Sequence, residues 1–188
     1  MAVTPSPSAA GAANDDPPAV PAGVWCPVVS LYKPTPRQEL DLDATRTYFG
    51  HLISSGVNGL VLQGSTAEAA LLLPEERVAL TRLAREVARG LGVPDFPLAA
   101  GVSGQSTVET FRLIDDAARA GADFALLLPP SYWPKAISNK DIVAFYREVA
   151  DYSPIPVIIY NVRAVLCTFI SIIFLHVYSL YQSGTCLC

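Results

Sequence analysis

The chain has 188 residues, a formal net charge of −4 and 51% hydrophobic residues. That length suits one domain, and a mildly acidic balance with no basic cluster argues against nucleic acid as a partner. The four cysteines, Cys26, Cys167, Cys186 and Cys188, show neither a CxxC nor a spaced metal pattern. This argues against a disulfide framework or a metal site and makes a reducing, cytoplasmic compartment the default.

Residues 1–22 are rich in Pro, Ala and Ser, with Asp15 and Asp16 the only charged side chains. Such a stretch builds no core and reads as a disordered leader. A mitochondrial transit peptide carries Arg and avoids acids. The leader has no Arg or Lys, so its composition does not support mitochondrial targeting, and that location stays open.

Gly23 to Leu31 is the first candidate strand, and its proline points to a bulge or an edge. Asp41 or Asp43 caps the next helix, with Tyr48, Phe49, Leu52 and Ile53 on its apolar side and Gly56 as its stop. His51 belongs on that helix's surface, without a catalytic partner.

The stretch from Val57 to Arg77 organises the chain. Gly59-Leu-Val-Leu62 is a short apolar run that reads as a strand buried on both faces. Gln63-Gly-Ser-Thr-Ala-Glu68 is small and polar and suits a tight loop. Pro74-Glu-Glu-Arg77 reads as a first helical turn, with proline and acidic residues where the helix dipole favours them. In a parallel α/β sheet, ligands sit at the loop leaving the C-terminal end of a strand. The hydroxyls of Ser65 and Thr66 beside Gly64 suit a carboxylate or a phosphate there. A polar connection without a ligand explains the same residues equally well.

The helix that follows places Leu80, Leu83, Ala84, Val87, Ala88 and Leu91 inward and Arg82, Arg85, Glu86 and Arg89 on a wet face. Phe96 to Val102 is the third strand. Ser106-Thr-Val-Glu109 reads as a capping box opening a helix with Val108, Phe111, Ile114 and Ala118 inward. Ala122 to Leu128 is the fourth strand, and Ser138 and Asp141 start a helix through Ile142, Phe145, Tyr146 and Val149. Ile155 to Tyr160 is the fifth strand. This alternation predicts a parallel α/β sheet built from right-handed βαβ units, either open and doubly wound or closed into a barrel. No GxGxxG follows the first strand, which weakens a dinucleotide-binding reading. From Val162 to Cys188 the character changes: Arg163 is the sole charged residue, and Ala164 to Leu180 is mostly apolar. Translated non-coding sequence, a membrane anchor and a divergent sixth strand and helix are three readings of that tail.

Gly23-Val, Gly64-Ser-Thr-Ala-Glu68, Glu75-Glu-Arg77, Ala100-Gly-Val, Gly121-Ala-Asp, Pro130-Ser-Tyr132 and Tyr160-Asn161 occur in an order and spacing that form a pattern. The chain resembles the dihydrodipicolinate synthase and N-acetylneuraminate lyase family, the pyruvate-type class I aldolases. Val61-Leu-Gln-Gly-Ser65 and Ala150 to Pro156 look most like the 4-hydroxy-2-oxoglutarate aldolase branch. The resemblance implies a (β/α)8 TIM barrel, of about 250 residues when complete. It covers 23–161, so the chain reads as about the first five βα units of a C-terminally truncated barrel, followed by a hydrophobic non-family tail at 162–188.

The resemblance also implies a chemistry. A lysine forms a Schiff base with pyruvate or another 2-oxo acid, and the iminium serves as electron sink for bond cleavage or formation. No separate cofactor or metal is implied. Gly64, Ser65 and Thr66 stand at the matching positions for binding the substrate carboxylate, and Thr66 also joins the proton relay. Tyr160 matches the tyrosine that moves protons at the reacting carbonyl. Tyr132 matches a second relay tyrosine that reaches into a neighbouring subunit's site, which implies a homo-oligomer for the full-length form. Relatives carry the Schiff-base lysine on the sixth strand, beyond Tyr160. The lysines here, Lys33, Lys135 and Lys140, all precede the fifth strand. The expectation is therefore a lyase by family whose chain, as it stands, is inactive alone. The alternatives are a non-catalytic product that docks onto full-length subunits and a fragment anchored in a membrane through the tail.

Overall fold

The computed structural model describes residues 19–132 and 136–160. The tail assigned to 162–188 and most of the leader assigned to 1–22 lie outside the described residues. The elements are β1 (Trp25–Pro27), α1 (Leu42–Ser54), β2 (Gly59–Leu62), α2 (Pro74–Gly90), β3 (Leu98–Gly101), α3 (Thr107–Ala120), β4 (Phe124–Leu127), α4 (Asn139–Tyr152) and β5 (Val157–Ile159). All four strand pairings are parallel, in the order β1-β2-β3-β4-β5.

The two faces of the sheet decide between the closures left open by the sequence. Alternate residues of a strand point to opposite faces. Leu60, Leu62 and Leu98 pack with Phe49, Ile53, Leu80 and Leu83 from α1 and α2. Ala100, Ala125 and Leu127 pack with Ile114, Ile142, Phe145 and Val149 from α3 and α4. The other set, Val61, Ala99, Phe124, Leu126 and Ile158, clusters with no helical residue. Among the described residues helices therefore cover one face only, and strand order never reverses. This is the layout of a (β/α) barrel; a doubly wound sheet carries helices on both faces.

Curvature points the same way. On the inner face, the Trp25 ring of β1 meets Phe124 of β4 edge-on, with centroids 5.8 Å apart. Two strands intervene, so a flat sheet would keep these rings well beyond contact. The ring reaches across Gly59, where an added Cβ would lie 2.4 Å from Trp25 Cε3. Trp25 Nε1 donates to the Pro21 carbonyl at 3.0 Å, and Val20 packs on the same inner cluster. The end of the segment assigned to the leader is thus tied beneath the sheet.

Local chemistry sets the element ends. Asp41 caps α1 by accepting the Ala44 N–H at 2.9 Å. Ser138 and Asp141 form a reciprocal capping box on α4. Ser106 caps α3, but Glu109 turns to the Gln105 N–H at 2.7 Å, so only half of the expected box forms. Strands are shorter than the apolar runs around them, because ladder pairing stops before burial does.

Three side chains depart from the helical pattern. Val108 and Leu91 are exposed; each sits at a helix end, where the expected stripe no longer faces the sheet. Arg85, expected on the wet face, is 6% exposed. Its guanidinium donates to the carbonyls of Pro94, Phe96 and Gly121 and pairs with Asp123 at 2.7 Å. A buried cation is tolerated where its donors are filled in this way.

Candidate active site

Parallel strands deliver all their C-terminal loops to one edge of the sheet, so the loops after β2 and β4 and the end of β5 share that edge. After Leu62 the chain turns sharply: Gln63 has φ 51° and Glu68 φ 54°, both in the left-handed region. Between them Ser65–Ala67 makes one 3-10 turn, and Ala69–Leu71 makes a second. The turn is closed by its own backbone, through Ala67 N–H to Gly64 O at 3.1 Å and Glu68 N–H to Ser65 O at 3.1 Å. Ser65 and Thr66 are exposed, and among the described residues neither hydroxyl has a hydrogen-bond partner. Both remain available to a ligand.

The turn is held from several sides. Ser30, after β1, donates its hydroxyl to Ala67 O at 2.7 Å. Gln63 is buried, and its Nε2 donates to Arg77 O at 2.9 Å and Thr81 Oγ1 at 3.0 Å on α2. The Arg77 guanidinium donates to Ala69 O and, at 3.0 Å, to Gly101 O at the end of β3. Burial lowers the Arg77 pKa, while the Glu109 carboxylate works in the other direction. Gly101 must be glycine: an added Cβ would lie 1.9 Å from the Gln63 carbonyl oxygen.

Tyr160 follows β5 directly and packs on the inner cluster of Val61, Phe124, Leu126 and Ile158. Its N–H donates to Leu127 O at 2.9 Å. The Tyr146 hydroxyl donates to that same carbonyl at 3.2 Å from the helix side, and burial pushes its pKa up. Tyr160 therefore leaves its strand on the helix-free face, fixed from behind, and among the described residues its hydroxyl has no partner. Tyr132, in the loop after β4, is 69% exposed. Its N–H donates to Gln105 Oε1 at 3.2 Å, which ties that loop to the one after β3. Ser103 Oγ accepts the Leu128 N–H at 2.8 Å and makes a second such tie.

The sheet thus brings the Ser65–Thr66 turn and Tyr160 to one edge, and Tyr132 stands outward from the same edge. Lys33 lies in the loop between β1 and α1 and Lys140 in the first turn of α4, so neither is on a strand; Lys135 is outside the described residues. Among the described residues, no group of His, Cys, Asp and Glu is placed to hold a metal ion, and no helix is long and apolar enough to cross a membrane. Reading the sequence did not identify the supports Ser30, Gln63, Gly101 and Gln105. Polar loop residues give no signal of their partners; Gln63, Arg77 and Gly101 stood inside matched motifs, but the motifs did not show what each of them touches.

The fold and the edge loops define the class: the described residues are the first five strands, with four helices, of a parallel (β/α) barrel, with the candidate site at the C-terminal end of the strands. The chain belongs to the dihydrodipicolinate synthetase family, which it matches over residues 21–180. The match continues past Asn161, where the sequence motifs end. A Coccidioides immitis protein provisionally named a mitochondrial 4-hydroxy-2-oxoglutarate aldolase is 43% identical over 139 residues, 74% of this chain and 43% of that protein. A crystal structure described as of the dihydrodipicolinate synthase family, also from Coccidioides immitis, superposes with a TM-score of 0.78 at 37% identity, covering 90% of this chain and 52% of that one. YagE of Escherichia coli K12, solved in complex with pyruvate, gives 0.74 at 26% identity, covering 88% and 62%. The chain spans less than half the length of the curated relatives it matches.

Proposed function

We propose that this chain carries the carboxylate-binding and proton-relay part of a class I aldolase site for pyruvate or another 2-oxo acid. Ser65 and Thr66 bind the substrate carboxylate with their hydroxyls, beside Gly64. Tyr160 moves the proton at the reacting carbonyl, with Thr66 as the next hydroxyl in the relay. Tyr132 completes that relay from the surface, in a neighbouring copy of a full-length form. One observation carries the reading: Tyr160 emerges on the helix-free inner face at the edge where two unpartnered hydroxyls wait. The names of the relatives support 4-hydroxy-2-oxoglutarate or a related 2-oxo acid as the substrate class, with a mitochondrial location for the relative itself.

These binding and relay groups do not by themselves turn substrate over. An aldolase of this class needs a lysine amine beside the carbonyl, and the two lysines among the described residues, Lys33 and Lys140, lie off the strands. Incubation with pyruvate followed by borohydride, with peptide mapping by mass spectrometry, tests this. The expected result is no reduced adduct on any lysine. An adduct on Lys33, Lys135 or Lys140 would show that the chain carries its own nucleophile.

A further inference from the structure

We propose that Arg77 is the positioning residue of the Ser65–Thr66 turn, acting through the backbone rather than by touching substrate. The inference rests on the reading that this turn receives the 2-oxo acid carboxylate. Arg77 sits in the first turn of α2, three residues after its proline. Its two terminal nitrogens go to different places: Nη1 to Gly101 O on β3, and Nη2 to Ala69 O, just past the turn. Its own carbonyl accepts from Gln63 Nε2, just before the turn. One residue therefore grips the chain on both sides of Ser65-Thr66 and pins it to the neighbouring strand.

The residue type is the argument. Both guanidinium hydrogen bonds of this half-buried cation run to neutral carbonyls, and the Glu109 carboxylate acts on it only as a nearby charge. A cation held that way stabilises weakly as an ion and strongly as a rigid two-pronged donor. A planar guanidinium spans two acceptors in fixed directions, which a lysine ammonium on a flexible stem does not reproduce. Among the described residues the hydroxyls of Ser65 and Thr66 have no partners of their own, so their placement depends on the backbone that Arg77 holds. Pre-ordering that backbone before the ligand arrives lowers the cost of binding.

The test uses the full chain, with Arg77→Met and Arg77→Lys, and two readouts. Amide hydrogen exchange reports the turn through Ala67, Glu68 and Ala69, whose N–H groups close it, against Tyr146 and Val149 within α4 as controls. Pyruvate titration reports binding. In Arg77→Met the three turn amides exchange about tenfold faster or more, as expected for losing hydrogen bonds from a charged donor. The α4 amides stay at the wild-type rate, and half-saturation by pyruvate rises about tenfold. Arg77→Lys, which keeps charge and one contact, falls between the two. Turn amides at the wild-type rate in Arg77→Met, or equal acceleration in α4, would overturn the positioning role. If Arg77→Met does not fold, Arg77→Lys decides by the same comparison. If the wild-type chain takes up no pyruvate, the carboxylate reading fails, and the exchange comparison still decides whether Arg77 holds the turn.

Discussion

At the scale of single residues, the proposed function separates groups that hold a ligand from groups that act on it. Among the described residues the exposed Thr66 hydroxyl has no partner, so on the proposed function Thr66→Val removes a carboxylate contact without unpairing another described group. Pyruvate affinity should fall about tenfold, the worth of one hydrogen bond to a charged group. Tyr160→Phe should leave pyruvate affinity within about twofold, because a relay hydroxyl acts in proton transfer rather than in ground-state binding. Titration of both variants checks the contrast, and a larger loss in Tyr160→Phe would reverse the roles. Gly101 is fixed by the Gln63 carbonyl that an added methyl would meet at 1.9 Å. Gly101→Ala should lower unfolding stability by about 1–3 kcal/mol, the usual cost of overpacking, read as a shift in the urea midpoint.

At the scale of elements, two features test how the outer shell is held. Arg85 joins α2 to the loops before β3 and β4, donating to three carbonyls and pairing with Asp123. Arg85→Met leaves these acceptors unfilled inside the shell. A destabilisation of about 3 kcal/mol is expected in chemical denaturation. A loss below about 1 kcal/mol would mean that water replaces the guanidinium freely. The start of α4 gives a pH prediction. The Ser138 hydroxyl and N–H hold the Asp141 carboxyl below its ordinary pKa. A depressed folded-state pKa means that the cap's contribution is present above the unfolded-state value and is lost as pH falls through the folded-state value. Protection of the amides in the first turn of α4, relative to their intrinsic exchange rate at each pH, should therefore fall in acid, and Asp141→Asn should remove that dependence.

At the scale of the whole molecule, what was legible in the sequence follows from what each signal depends on. Buried strands such as Gly59–Leu62 and amphipathic helices such as α4 depend on local periodicity, and they appear where the sequence places them. Sheet closure depends on non-local geometry. Periodicity left it open, and the contact of Trp25 with Phe124 across two strands supplies the curvature. The burial of Arg85 was hidden because its acceptors are backbone carbonyls far along the chain, which carry no sequence signature. In the site, the resemblance singled out Ser65, Thr66, Tyr132 and Tyr160. The second layer of Ser30, Gln63, Arg77 and Gln105 became visible only once loops from different strands met at one edge.

The central claim is that the Ser65–Thr66 turn receives the carboxylate of a 2-oxo acid in this chain without covalent chemistry. Amide chemical-shift titration of the full chain with pyruvate tests it most directly. The account predicts saturable shifts centred on Ser65, Thr66 and Ala67, extending to Tyr160 and needing about tenfold more pyruvate in Thr66→Val. Saturable shifts confined to other loops, or no saturable shift at the turn, would contradict it.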